Sequence, residues 1–369
     1  MHRVSSAASN HALQRPPAEE RFAGELARLA GADEGPRPPG WRLSLGAVRR
    51  FVLGDPALEV SAKFVGPPSL VERAMVTLAT QRGLMLVGEP GTAKSLLSEL
   101  LAAAVSGSST ATIQGGAATT EDQIKYSFNY ALLVAEGPSL RSLVPAPMYV
   151  GMRDGLVVRF EEITRCPLEV QDSLLGILSD RAMAIPELPG ADGMLFAREG
   201  FNVIATANSR DRGVNEMSAA LKRRFNFETV FPIADAGAER ALVAREAAAL
   251  LERSGVPLRP PDDVLDVLVT TFRELRGGAD AADTADALSS VPSTAECVAV
   301  AHAIGVRAYY ARGEAPTPAD VVEHLAGAAA KDDPEDLRRL RRYLEQRAKG
   351  RAGAAWRALH AARHLLPDG

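Results

Sequence analysis

Residues 88–95 read Gly88-Glu89-Pro90-Gly91-Thr92-Ala93-Lys94-Ser95; the apolar run Leu84-Met85-Leu86-Val87 precedes them, and Leu96-Leu97-Ser98-Glu99-Leu100-Leu101 follows. The order is that of a buried strand, a tight loop and a helix start. Gly88 and Gly91 permit backbone turns that a side chain would block. The loop N–H groups can then face an anion, with the positive end of the helix behind them. Lys94 has the reach for the β- and γ-phosphates of a nucleotide, and Ser95 offers a hydroxyl to Mg²⁺. With Glu89, Pro90, Thr92, Ala93 and Leu96 they form a candidate nucleotide-binding loop. Its spacing is that of the P-loop, with Ala93 where the last glycine is usual. The plainer alternative, a strand-to-helix turn with a surface lysine, has to produce strand, loop and Lys-Ser helix start together by chance.

A second run, Gly155-Leu156-Val157-Val158-Arg159-Phe160-Glu161-Glu162-Ile163, reads as a buried strand that delivers two carboxylates at its C-terminal end. Ligands of open α/β sheets sit at that end. Glu161 is the candidate metal ligand, acting through the metal's water shell, and Glu162 is the candidate base for an attacking water. Arg159 is an unusual residue inside such a strand. A third run, Phe201-Asn202-Val203-Ile204-Ala205-Thr206-Ala207-Asn208, ends on an amide that can hold water or the γ-phosphate; alone, an asparagine there is more often a cap or turn former. Lys222-Arg223-Arg224 precedes one more strand, Phe225-Asn226-Phe227-Glu228.

The elements that must position these groups follow from the rest of the chain. The 369 residues suffice for about two domains. Composition is ordinary for a globular protein, 46% hydrophobic and 24% charged. A net charge of -4 and a pI near 6.0 give no global case for nucleic acid binding. Cys166 and Cys297 lie in no metal-ligand spacing. No apolar run approaches the ~18 residues that span a bilayer, and no apolar segment follows the first residues as in a secretory signal. A cytoplasmic location is expected. Residues 1–40, rich in Ala, Pro, Gly and charge, read as a mobile N-terminal tail with a short helix over 19–30. Residues 41–232 hold the strands and the candidate site. After Pro232 strand signals stop, and 233–330 reads as a small all-helical domain. Residues 331–369 read as a basic helical extension: nine Lys/Arg and one acid, Glu345, lie between Arg338 and Arg363. That run is either a solvated helix face or a docking surface for an acidic partner.

Taken together, residues 62–232 resemble the ATPase core of the AAA+ superfamily, and within it the MoxR-like group. The matching pieces are the loop 88–95, Glu161-Glu162-Ile163-Thr164-Arg165, Ala205-Thr206-Ala207-Asn208 and Leu221-Lys222-Arg223-Arg224-Phe225. With the helical domain, the resemblance covers about three quarters of the chain. It implies an α/β fold: a P-loop AAA+ core with a doubly wound parallel sheet, followed by a small all-helical lid. It places Lys94 and Ser95 in Walker A, Glu161 and Glu162 in Walker B, and Asn208 at sensor 1. It places Arg224, with Arg223 as fallback, at the arginine finger that reaches a neighbouring subunit's γ-phosphate. It implies ATP and Mg²⁺ as cofactors and a homo-oligomeric ring, usually a hexamer. It also implies a protein client and a partner bearing a von Willebrand factor A domain. Segments 115–150 and 181–200 fall where such proteins carry inserts that face the pore or a substrate. Two departures stand out. Glu161 replaces the usual aspartate. Where relatives carry an arginine at the start of the lid's third helix, this chain reads Pro292-Ser293-Thr294-Ala295-Glu296.

The expected function is ATP-driven remodelling of a protein client. An ATP-gated assembly switch with very slow hydrolysis is the alternative. A motor on nucleic acid is the remaining rival, and the acidic pI argues against it.

Overall fold

The computed structural model describes residues 13–208, 216–277, 288–289 and 291–367. Two short helices come first, α1 (Ala18–Arg21) and α2 (Ala23–Gly31). Ala18, Phe22, Leu26 and Leu29 recur at helical spacing and pack into the core, with Ala18 and Leu29 fully buried. Arg15 and Arg21 lie 3.1 and 3.7 Å from the buried carboxylate of Glu99. Glu19 accepts from the Ser109 N–H and hydroxyl at 3.0 and 2.7 Å. The expectation of a mobile tail over 1–40 is therefore corrected for 13–40, and residues 1–12 lie outside the described residues. The segment's charges are spent on partners far along the chain, which composition alone does not reveal.

α3 (Leu45–Leu53) starts at Ser44, whose hydroxyl accepts from the Ala47 N–H, and α4 (Pro68–Leu78) starts on a proline. Then come β1 (Gly83–Gly88), α5 (Lys94–Ser106) and β2 (Thr112–Gln114). The long irregular segment that follows carries α6 (Glu121–Ile124), β3 (Tyr126–Phe128), α7 (Tyr130–Glu136), β4 (Leu143–Pro145) and α8 (Pro147–Asp154), with β3 and β4 paired antiparallel. β5 (Val157–Glu161), α9 (Leu168–Asp172) and α10 (Leu175–Asp180) lead to the hairpin of β6 (Ala182–Ala184) and β7 (Met194–Phe196). β8 (Asn202–Asn208), α11 (Ala219–Lys222) and β9 (Phe225–Val230) complete this part.

The main sheet has the order β2-β5-β8-β1-β9, and every adjacent pair is parallel. Its strands alternate between two apolar faces. Leu84, Leu86, Val157 and Ile204 pack with Leu97, Leu100 and Leu101 of α5. Met85, Val158, Phe160, Val203 and Ala205 pack on the other side with Leu174, Ile177 and Leu221. Helices thus cover both faces, as a parallel sheet requires. By the same period of two, Arg159 and Glu161 on β5 and Thr206 and Asn208 on β8 share the α5 face.

The chain then becomes helical: α12 (Ala236–Arg253), α13 (Asp262–Leu275), α14 (Thr294–Arg307), α15 (Pro318–Leu325), α16 (Pro334–Tyr343) and α17 (Ala354–Ala361). Val264, Leu268, Phe272, Val321 and Leu325 share one core with Leu340, Tyr343, Leu344 and Leu359. Residues 331–367 are therefore part of the same helical body, and the boundary expected at 330 does not separate two cores. Several basic residues of this segment are also used internally: Arg338 and Arg339 pair with Glu335 and Asp336, and Arg351 with Glu274.

Candidate nucleotide site

The loop between β1 and α5 turns through two left-handed residues, Gly91 (φ 74°) and Ala93 (φ 67°). The turn brings Lys94 to the first position of α5. Lys94 is buried, and its Nζ donates to the Gly88 and Glu89 carbonyls at 3.0 and 2.7 Å. The ammonium thus lies in the mouth of its own loop, where a phosphate can compete for it. A Cβ on Gly88 would lie 2.3 Å from the Val230 carbonyl, so only glycine lets β1 and β9 close together at the loop's base.

Glu161 is buried beneath this loop and takes four donors. Oε2 accepts from the Ser95 and Thr206 hydroxyls at 2.6 and 2.9 Å. Oε1 accepts from the Ser98 hydroxyl and the Arg159 Nη2 at 2.7 and 2.8 Å. Burial pushes this carboxyl's pKa up, but the Ser95 and Ser98 hydrogen bonds, the Arg159 charge and Thr206 outweigh it and hold the group below the usual carboxylate range. Glu162 follows in a left-handed conformation (φ 56°). Its N–H donates to Thr206 Oγ1 at 2.9 Å, and its carboxylate pairs with Arg165 at 2.9 Å.

Residues 89–96, Glu162, Thr206 and Asn208 line one cavity of about 470 Å³. The helical domain closes it with Arg276, Pro292, Ser293 and Thr294, and Val65, Leu242 and Leu250 add apolar walls. The structure brings the loop, Glu162 and Asn208 together at this cavity, with Glu161 bonded to Ser95 beneath it. Arg223 and Arg224 do not line it. Gly83 pairs with Phe225 in the register of β1 and β9, so both arginines sit at the far end of β1 from Gly88. About 16 Å of strand intervenes. Arg224 Nε donates to the Ser179 hydroxyl at 2.8 Å.

Comparisons with known proteins bear on the family of the chain. Residues 83–225 match the AAA domain of the dynein-related subfamily, and residues 237–367 match the YehL-like AAA+ ATPase C-terminal domain. The chain is 63% identical to the YehL protein of Escherichia coli (strain K12) over 97% of its own length and 99% of that protein. The chain belongs to the YehL-like AAA+ ATPases. It is also 28% identical to Chaperone MoxR1 of Mycobacterium tuberculosis, over 56% of this chain and 51% of MoxR1. Among solved structures, NtrX from Brucella abortus in complex with ADP aligns at 15% identity with a TM-score of 0.48, covering 76% of this chain and 62% of that one.

In this YehL-like protein, sequence reasoning missed four polar members of the site. Ser98 lies one helical turn after Ser95, Arg159 two strand positions before Glu161, and Thr206 two before Asn208; these spacings place them on the site's face. Arg276 gave no such signal. It ends α13, where Nε donates to the Pro292 carbonyl at 2.8 Å and Nη2 to Glu239 at 2.9 Å.

The oxygen donors suit a magnesium nucleotide. Ser95 and Glu161 place a hydroxyl and a carboxylate within 2.6 Å of each other, and hard oxygen ligands are what Mg²⁺ takes. Among the described residues no group of three His, Cys, Asp or Glu side chains could hold a metal ion alone. A divalent cation here would therefore share its shell with a phosphate, which is how Mg²⁺ is commonly bound.

Proposed function

We propose that this chain is an ATP-hydrolysing AAA+ ring protein, built as a hexamer, that remodels or chaperones a protein client. The observation that carries the reading is the convergence of Lys94, Ser95, Glu162, Thr206 and Asn208 on one cavity, with Glu161 bonded beneath it. Loop N–H groups and Lys94 would hold the phosphates, and Ser95 with Glu161 would hold Mg²⁺. When bound, the ion neutralises charge on the phosphate oxygens. Glu162 would take the proton of the attacking water, and Asn208 would orient that water or the γ-phosphate. Phe64, Val65, Leu242 and Leu250 offer apolar surface for a base.

Arg224, with Arg223 as its neighbour, would act on an adjacent subunit. Its distance from its own loop supports action in trans. The inserts at 115–150 and 181–200 would face client or pore. The resemblance to MoxR1, a chaperone by name, supports a protein client; a partner with a von Willebrand factor A domain is part of the same proposal. A cytoplasmic location fits the described residues, which hold no helix long and apolar enough to cross a membrane.

One observation favours a second reading, an ATP-gated assembly switch with very slow hydrolysis: the Glu162 carboxylate is paired with Arg165 at 2.9 Å instead of standing free. Steady-state phosphate release decides between them. In the first reading Glu162→Gln binds ATP but loses at least about a hundredfold in turnover; in the second, wild type and variant differ little.

A further inference from the structure

We infer that Arg159 is a positioning residue that sets how much Mg²⁺ the nucleotide site requires, by holding a fixed positive charge against Glu161. The inference rests on the ATP-binding reading above and concerns the same site.

Arg159 and Glu161 are two positions apart on β5, so both side chains face α5. The guanidinium is committed on every edge. Nη2 donates to Glu161 Oε1 at 2.8 Å and to the Ser95 carbonyl at 3.1 Å. Nε donates to the Ser98 hydroxyl at 3.0 Å. Nη1 donates to the Ser109 carbonyl at 3.2 Å and to Thr112 Oγ1 at 3.4 Å. The side chain is 12% exposed. These bonds span β5, the first turn of α5 and the approach to β2, so the charge cannot swing away when a cation arrives. An arginine cannot deprotonate to relieve the conflict either.

The other three donors to Glu161 are hydroxyls, which can turn to accept instead of donate. Arg159 is the one cation within ion-pair distance of Glu161 among the described residues. Any divalent cation drawn to Glu161 therefore enters a field that Arg159 already weakens. The longer arm of glutamate, in place of the usual aspartate, puts the carboxylate between Ser95 on one side and Ser98 with Arg159 on the other. The departure from aspartate and the half-buried arginine thus form one unit.

The test reads binding, not turnover. A fluorescent ATP analogue is titrated onto the full chain in EDTA, then at fixed nucleotide with increasing Mg²⁺, for wild type, Arg159→Met and Arg159→Lys, alongside thermal melting. In Arg159→Met the half-saturating Mg²⁺, read relative to the variant's own affinity in EDTA, falls at least about fivefold, and Arg159→Lys returns the threshold toward wild type. A folded Arg159→Met with an unchanged or higher threshold overturns the inference. Should that variant not fold, Arg159→Gln, which keeps an amide donor without the charge, gives the same two outcomes. A wild type that binds the analogue in neither condition removes the ATP reading itself; a wild type that binds, with variants that match it, removes only the role of Arg159.

Discussion

Gly91 of the phosphate loop and Ser293 at the start of α14 are in direct contact: a Cβ on Gly91 would lie 1.9 Å from the Cβ of Ser293. The helical domain thus rests on the loop itself. Gly91 also holds a left-handed φ of 74°, which costs an alanine roughly 1 kcal/mol before any clash. Gly91→Ala is expected to weaken nucleotide affinity about tenfold in a fluorescent-analogue titration. Wild-type affinity in that variant would show that closure of the helical domain on the loop does not matter for binding.

The arginines at the start of β9 yield a mixing experiment. Arg224→Ala should retain nucleotide affinity and lose at least about a thousandfold in turnover if it acts as a finger on the next subunit. Lys94→Ala should lose binding. Mixed rings of the two inactive variants should recover part of the ATPase rate, because some interfaces pair an intact loop with an intact arginine. No recovery on mixing would refute action between subunits.

Glu239 supplies a pH prediction for stability. It is fully buried on α12 and accepts from Arg273 and Arg276 at 2.7 and 2.9 Å and from the Thr294 hydroxyl at 2.6 Å. Burial raises its pKa, but the Thr294 and Arg276 bonds, the Arg276 charge and Arg273 bring it below the ordinary value of 4.5. A depressed carboxylate pKa contributes stability above the unfolded value and loses it as pH falls through the folded one. Glu239→Gln should cost about 2 to 3 kcal/mol at pH 7, less than for a wholly buried pair because Arg273 is partly exposed. In urea unfolding that cost should shrink steadily once the pH drops below 4.5. A cost that stays constant with pH would place it in packing, not charge.

The N-terminal helices should behave as core, not as tail. Leu29 is fully buried among the residues of the α5 face. Leu29→Ala is expected to destabilise the protein by about 2 to 4 kcal/mol, visible as a shift of the denaturant midpoint. A change within error would return the segment to the status of an appendage.

What could be read from the sequence was local. The loop 88–95 and the strand endings at Glu161-Glu162 and Asn208 announce themselves because an apolar run stops abruptly at polar groups. The parallel sheet follows from strands alternating with helices. What could not be read depended on distant partners. Residues 13–40 looked unable to bury enough surface because the partners of Arg15, Arg21 and Glu19 are Glu99 and Ser109, about eighty or more positions away. The boundary at 330 followed a change of charge, whereas the core ignores it and joins Leu340 and Leu359 to Phe272. Arg159 looked out of place in a buried strand because its partners, Ser95, Ser98 and Ser109, belong to other elements.

β9 is hydrogen-bonded to β1 from Phe225 to Val230. One of its ends follows directly on Arg224, and the other leads through Phe231 and Pro232 into α12. A six-residue strand zipped to its neighbour is hard to stretch or bend. Any tilt of the helices that follow Pro232 would therefore be carried along β9 to Arg224 with little slack. The nucleotide cavity and this arginine would then move on a common shaft.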